Sequence, residues 1–460
     1  MARSGGDPRN AIATVLTGSH GSRVLVRTRD RPHPRSSAPA IVRTRDRPQD
    51  PPGSGTERFP AYNPGTMAIY LDHAATTPLR PEALEAMLPY LGAEFGNPSS
   101  PHGFGRRARA ALDEARERVA ARLNAEPREL VLTAGGTEAL NLAIKGAAWA
   151  GKARGNRLVA SRVEHHAVGH SLSHLERFGF EVAELAVDRY GRVDPDEVET
   201  AINDRTTLVA VQLANNEVGS IQPVVELGRR LRDRREVLFL VDAVAAAPYL
   251  PLDVDALGCD LLAIAAHKFE GPKGAGALYL RRGTHILAQE HGGAQERFRR
   301  AGTEDVAAAV GMASAFDLAV EERDATAKRL RRQRERLWNA LRAVDGVELT
   351  GHVKDRLPGL LSVIVREADG AAIVMALDLA GVAASVGSAC TTGSTEPSHV
   401  LSAMGYPDDE ARGSLRLSLG RTTTDEQVDE AATIIVDVLG RERAAAAALS
   451  ADPLGLGVTA

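Results

Sequence analysis

From Ile69 onward, short apolar runs alternate with helical stretches, and this alternation restricts the fold more than any other feature of the chain. The runs 129–133, 157–161, 207–212, 237–242 and 261–264 have the length of buried strands. Stretch 81–91 carries Pro81 in its first turn, and 106–123 is a longer amphipathic helix. Asp194-Pro195-Asp196-Glu197 supplies a cap, a proline and acidic residues where another helix opens. Strands separated by helices predict a largely parallel α/β sheet.

After about residue 321 the pattern changes. A charged helix over 321–344 leads to short strands at 347–349, 360–365 and 414–419, and a final helix starts at Asp425. That reads as a second, smaller α+β domain. The predicted organisation is a large domain over 81–321, a small one over 322–440 and a flexible tail over 441–460. Residues 67–80 join the small domain. Residues 1–66 are rich in Arg, Pro, Ser and Gly, and the heptad 26–32 recurs at 42–48. Neither copy can bury anything, so this extension is expected to be disordered, with folded sequence starting near Met67.

Composition removes several classes of function. A net charge of −4 gives no global bias toward nucleic acid, and no apolar stretch is long enough to span a bilayer. Two cysteines, Cys259 and Cys390, make no disulfide framework. A reducing, cytoplasmic setting is expected, with a thiol left for chemistry.

The candidate chemistry sits after strands. Lys268 follows the run 261–264 and precedes Gly271-Pro272-Lys273-Gly274. A partly desolvated lysine there can form a Schiff base; a lysine snorkelling at a strand end is the bland alternative. Gly135-Gly136-Thr137 opens a helix and forms either an anion site or an ordinary glycine turn. Asp242 ends an apolar strand, facing a ligand crevice or capping a loop. His165 and His166 follow another strand; a histidine there can stack on a planar ring or move protons, and a metal site is not expected. Asn215-Asn216 binds a ligand or makes an Asx turn. Arg416 alternates with apolar residues and suits a carboxylate, unless it faces solvent. Cys390 lies in a Gly/Ser/Thr loop that predicts exposure, which makes it a candidate nucleophile; Cys259 reads as a buried hydrophobe.

Together these residues suggest a pyridoxal phosphate site. From about residue 69 to 440 the chain also resembles the cysteine desulfurases, class V aminotransferase-like enzymes of the fold-type I pyridoxal phosphate group. The resemblance is carried by Tyr70-Leu71-Asp72-His73-Ala74-Ala75-Thr76-Thr77-Pro78, Gly96-Asn97-Pro98, Glu164-His165, Asn215-Asn216-Glu217-Val218-Gly219, His267-Lys268, Gly302-Thr303, Gly387-Ser388-Ala389-Cys390 and Arg416-Leu417-Ser418. It implies a seven-stranded, mainly parallel sheet. It implies that Lys268 anchors the cofactor, Asp242 pairs with its ring nitrogen and His165 stacks on the ring. Gly136, Thr137 and His267 would bind the phosphate, joined by Thr303 from a second copy, so a homodimer is implied. Asn216 and Arg416, with Asn97, would hold the carboxylate of L-cysteine, Asn216 also lying near the cofactor oxygen. Cys390 would take the sulfur as a persulfide and pass it to a thiol-bearing acceptor for iron–sulfur clusters or thiolation. No resident metal is implied; at most the persulfide shares a cluster transiently with a scaffold. A selenocysteine lyase or an aminotransferase on the same fold is the alternative, and a degenerate scaffold a third.

Two positions depart from the family pattern. Ala245 stands where the family usually has glutamine, and Ala265 where it usually has serine. Each loss removes a donor to a charged group.

Overall fold

The computed structural model describes residues 68–387 and 397–451, with side chains to 444. The expectations for 1–66 and for the Cys390 loop lie outside the described residues. The principal sheet has seven strands: β2 (Leu130–Thr133), β3 (Arg157–Ser161), β4 (Glu181–Leu185), β5 (Thr206–Gln212), β6 (Leu238–Asp242), β7 (Leu261–Ala265) and β8 (Gly276–Leu280). β1 (Ile69–Tyr70) lies outside it. The order is β2-β8-β7-β6-β5-β3-β4. Strands β4, β3, β5, β6 and β7 pair in parallel, and β8 runs antiparallel to both its neighbours.

The sheet is buried on both faces. Val209, Val211, Phe239, Val241, Leu262 and Ile264 enter one apolar cluster, while Leu208, Ala210, Leu240, Leu261 and Ala263 enter the other. This is the period-2 alternation of a strand with two apolar faces, and it explains why these runs read as continuous hydrophobes.

A second sheet joins β9 (Val347–Leu349), β10 (Leu360–Val365) and β12 (Ser414–Ser418), with β10 central and antiparallel to both. It packs against the final helix through Leu361, Val363, Leu415, Leu417, Val428 and Ile435. The chain's first described residues belong here too. β1 pairs in parallel with β11 (Val382–Ala383), and Asp72 bridges to Ser418 of β12.

Two helices are longer than expected. The charged helix is Val306–Leu341, capped by Asp305 accepting from the Ala308 amide. It begins inside an alanine-rich segment buried on all sides, Val306 to Phe316, which shows no amphipathic period. It supplies Met312 and Phe316 to one core and Leu330 and Leu337 to the other, and it runs unbroken through residue 321. The last helix, Asp425–Ala451, continues past the expected fraying point near Arg441 into an alanine run of high helix propensity.

Candidate active site

Five strands deliver their carboxyl ends to one place. β2 leads to Gly136 and Thr137, β3 to His165, β5 to Asn216, β6 to Asp242 and Ala245, and β7 to His267 and Lys268. All of these line one cavity of about 360 Å³, and Arg416 from β12 closes it from the second sheet. The crevice beyond the carboxyl ends of parallel strands is where such sheets bind ligands.

Lys268 is half-buried, on the turn after β7. Its Nζ donates to the carbonyls of Ala74 (2.5 Å) and Ala75 (2.9 Å). The 74–77 segment is itself fastened to this turn, since the Thr77 amide and hydroxyl both donate to the His267 carbonyl, at 3.0 and 2.8 Å.

Asp242 is 7% exposed at the cavity wall. Burial raises its pKa to about 6, opposed by the Val244 amide at 2.9 Å and by the Lys268 charge. A carboxyl in this state gains most from a cation placed against it. His165 caps the helix His166–Glu176, its Nδ1 accepting from the Ala167 amide at 3.1 Å, which leaves the ring proton on Nε2. Burial, then the Lys268 charge, lowers its pKa to about 4, so the ring at the cavity is neutral.

The opposite end suits an anion. The helix Gly136–Gly151 starts here with Gly135 at φ 138°, in a region that favours glycine. A Cβ on Gly136 would stand 2.7 Å from Val244 Cγ2, so the close approach of the backbone requires a glycine. First-turn amides and the helix dipole draw negative charge to this point. His267 lies beside it, its Nδ1 3.2 Å from Thr76 Oγ1, and burial lowers its pKa to about 4. An amine, a desolvated carboxyl and an amide cradle around one cavity fit pyridoxal phosphate.

Arg416 is buried, with Nη1 donating to the Asn216 carbonyl at 3.1 Å and Nη2 to Asp72 Oδ1 at 2.9 Å. The adjacent asparagines divide their labour. Asn215 makes the Asx turn, its Oδ1 accepting from the Glu217 and Val218 amides at 2.8 Å each, whereas Asn216 lines the cavity.

Two anticipated residues are not brought to this cavity. Asn97 is exposed and caps the Ser99 amide at 2.9 Å, and Thr303 is exposed. Cys390 lies outside the described residues. Cys259 is buried and free, its thiol pushed up to about 12 by burial.

Sequence reasoning weighed His166 only as half of a histidine pair and gave no role of their own to Asp72, Glu164, Glu217 and His399. Glu164 is buried behind His165; burial raises its pKa to about 8, although the Ser161 hydroxyl and the Gln212 amide donate to its Oε1 at 2.5 and 2.9 Å. His166 stacks against His170 and tilts toward His399, with centroids 5.1 and 4.6 Å away. The His166-x-x-x-His170 spacing was available in the sequence and puts both rings on one helix face. Among the described residues no three His, Cys, Asp or Glu side chains could hold a metal ion.

Ala245 and Ala265 both line the cavity, so glutamine and serine there would present donors to a bound cofactor. Each restored charge-assisted hydrogen bond is worth about 1.5–3 kcal/mol. Ala265→Ser and Ala245→Gln are each expected to tighten cofactor retention by about tenfold or more. Absorbance titration of the apoprotein with pyridoxal phosphate measures this; unchanged affinity in both variants would refute it.

Known proteins resemble this chain over most of its length. The family described as aminotransferase class-V matches residues 69–431. The cysteine desulfurase IscS of Methanosarcina thermophila is 45% identical over 376 residues, covering 82% of this chain and 93% of that protein. The putative cysteine desulfurase IscS 1 of Bacillus subtilis is 44% identical over 375 residues, covering 81% and 99%. Among solved structures, a NifS-like protein superposes with a TM-score of 0.77 at 35% identity, covering 82% of this chain and 100% of that one. SspA in complex with cysteine superposes at 0.67 and 33% identity, covering 76% and 98%. The chain belongs to the class-V aminotransferase family of pyridoxal phosphate enzymes, among its cysteine desulfurases.

Proposed function

We propose that this desulfurase works through Lys268, Asp242, His165, Arg416 and Cys390, removing sulfur from L-cysteine, releasing L-alanine and holding the sulfur on Cys390. The observation that carries the reading is the convergence of the Lys268 amine, the Asp242 carboxyl and the Arg416 guanidinium on one cavity. Pyridoxal phosphate, when bound, supplies an electron sink for negative charge on the substrate's α-carbon. Gly136, Thr137 and His267 would hold its phosphate, Asp242 would pair with its ring nitrogen and His165 would stack on the ring. Arg416 and Asn216 hold the substrate carboxylate, which fixes the α-proton toward Lys268. Lys268 Nζ takes that proton and returns one to the departing product. The Cys390 thiolate forms a sulfur–sulfur bond as the substrate's carbon–sulfur bond breaks. L-cysteine and one enzyme thiol thus become L-alanine and one persulfide, which a thiol-bearing acceptor collects for clusters or thiolation. A reducing, cytoplasmic setting belongs to the same reading, since it keeps that thiol free.

Incubation of the cofactor-loaded protein with L-cysteine and a reductant should give alanine and sulfide in equal amounts. Cys390→Ser should give neither. Alanine formation at the unaltered rate in that variant would remove Cys390 from the mechanism.

We propose further that 81–321 forms the cofactor-binding body and 322–440 the substrate-facing one, and that two copies pair, each lending Thr303 to the other. Leu88, Leu91, Phe95, Phe104 and Phe298 are exposed apolar residues that a second copy would cover. Sedimentation at micromolar concentration should report a dimer; a monomer there would count against the pairing.

A further inference from the structure

Arg416 is engaged by the protein's own groups. Its side chain is 2% exposed, Nη2 sits 2.9 Å from Asp72 Oδ1, Nη1 donates to the Asn216 carbonyl, and Nε is buried without a partner. Asp72 is well placed for this. Its backbone bridges to Ser418 in β12, and its carbonyl accepts from the Tyr70 hydroxyl at 3.0 Å and the Ala75 amide at 3.1 Å. The carboxylate is therefore presented to the guanidinium by a fixed main chain.

A brace between the amino-terminal segment and β12 does not need this charge. The His73 amide already donates to the Ser418 carbonyl, the Ser418 amide to the Leu71 carbonyl, and the Ala74 amide to Ser418 Oγ. What the carboxylate changes is the charge of the site. A buried guanidinium whose other acceptor is a carbonyl is costly, so Asp72 stabilises it. An arriving amino-acid carboxylate meets a guanidinium already neutralised, and two carboxylates then flank one cation. Their repulsion, at the dielectric effective inside proteins, opposes binding.

We propose that Asp72 is a positioning residue that stands in for the substrate carboxylate on Arg416, weakening every amino acid's hold on the site and so speeding exchange of L-alanine for L-cysteine. The proposal rests on Arg416 being the carboxylate anchor. It assigns Asp72 a role opposite in sign to that of Arg416. Removing the arginine loosens amino acids, whereas neutralising its partner tightens them.

The test is calorimetric titration of the cofactor-loaded enzyme with L-alanine, with L-alaninamide as the ligand lacking a carboxylate. Asp72→Asn keeps the shape and an acceptor oxygen and loses only the charge. Its Kd for L-alanine is expected to fall about tenfold, with the KM for L-cysteine falling in the same ratio and alaninamide unaffected. The ligand-free Tm should fall as well. Unchanged or weaker alanine binding, with a lower Tm alone, would overturn the proposal and leave Asp72 a brace. Arg416→Lys separates the two readings. If it leaves alanine affinity intact, the anchor itself is wrong; if it weakens alanine while Asp72→Asn fails to tighten it, only the present inference falls. Asp72→Ser, equally uncharged, carries the same expectation should the amide variant not fold.

Discussion

Lys268→Ala is expected to lower alanine production from L-cysteine by at least about 1000-fold, in line with losing a positioned proton carrier. Two roles vanish together. The amine proposed to tie the cofactor to the protein would be gone, and so would the group proposed to move the α-proton. The Ala74 and Ala75 carbonyls, which hold Nζ at 2.5 and 2.9 Å, would then face the cavity without that cation. The cofactor should still bind through Asp242 and the Gly136–Gly151 helix terminus, but gel filtration should strip it from the variant and not from the parent. Added methylamine should restore part of the activity, because a free amine can carry the proton. Retention of more than a tenth of the parent's activity would show that another group does this work.

Asp242→Asn should lower activity by about 100- to 1000-fold and abolish a pH dependence. Burial lifts the folded-state pKa of Asp242 from 3.8 to about 6. Between those values the folded, cofactor-free protein binds more protons than the unfolded chain. The stability this group contributes is therefore complete below pH about 4 and is lost as the pH rises through about 6. A protonated ring nitrogen against the carboxylate reverses that loss, so cofactor affinity should rise with pH through about 6. The asparagine variant has no charge to gain, and its affinity should be flat over that range. An equal slope in both proteins would place the titrating group elsewhere.

Most of the candidate site was legible because strand ends punctuate it. Asp242 ends an apolar run, Lys268, His165 and Gly136 each follow one by a few residues, and a parallel sheet sends all such positions to one edge. The resemblance then gave them roles. What could not be read was pairing across long stretches of chain. Nothing local in Asp72 announces Arg416, 344 residues on. The reversal of β8 was equally hidden, since its five residues are all buried and carry no alternation. The start of the helix Val306–Leu341 was missed for the same reason: a helix apolar on every side has no face to detect. The burial of Glu164 was hidden too, because a carboxylate next to His165 looks like a surface residue until Ser161 and Gln212 close over it.

The pairing of β1 with β11, and of Asp72 with Ser418 in β12, has a consequence for how the protein is made. Residues 69–74 reach their places only by pairing with Val382–Ala383 and Ser418, so they wait unpaired while most of the chain is synthesised. Contacts of such sequence separation close late and slowly. Ala74 and Ala75, the acceptors for Lys268, belong to that waiting segment. The seven-stranded sheet can therefore assemble on the ribosome well before the lysine is held in place. The Lys268 contacts are therefore completed late in biogenesis, and a nascent chain released before Ser418 should carry a folded sheet but an unfinished site.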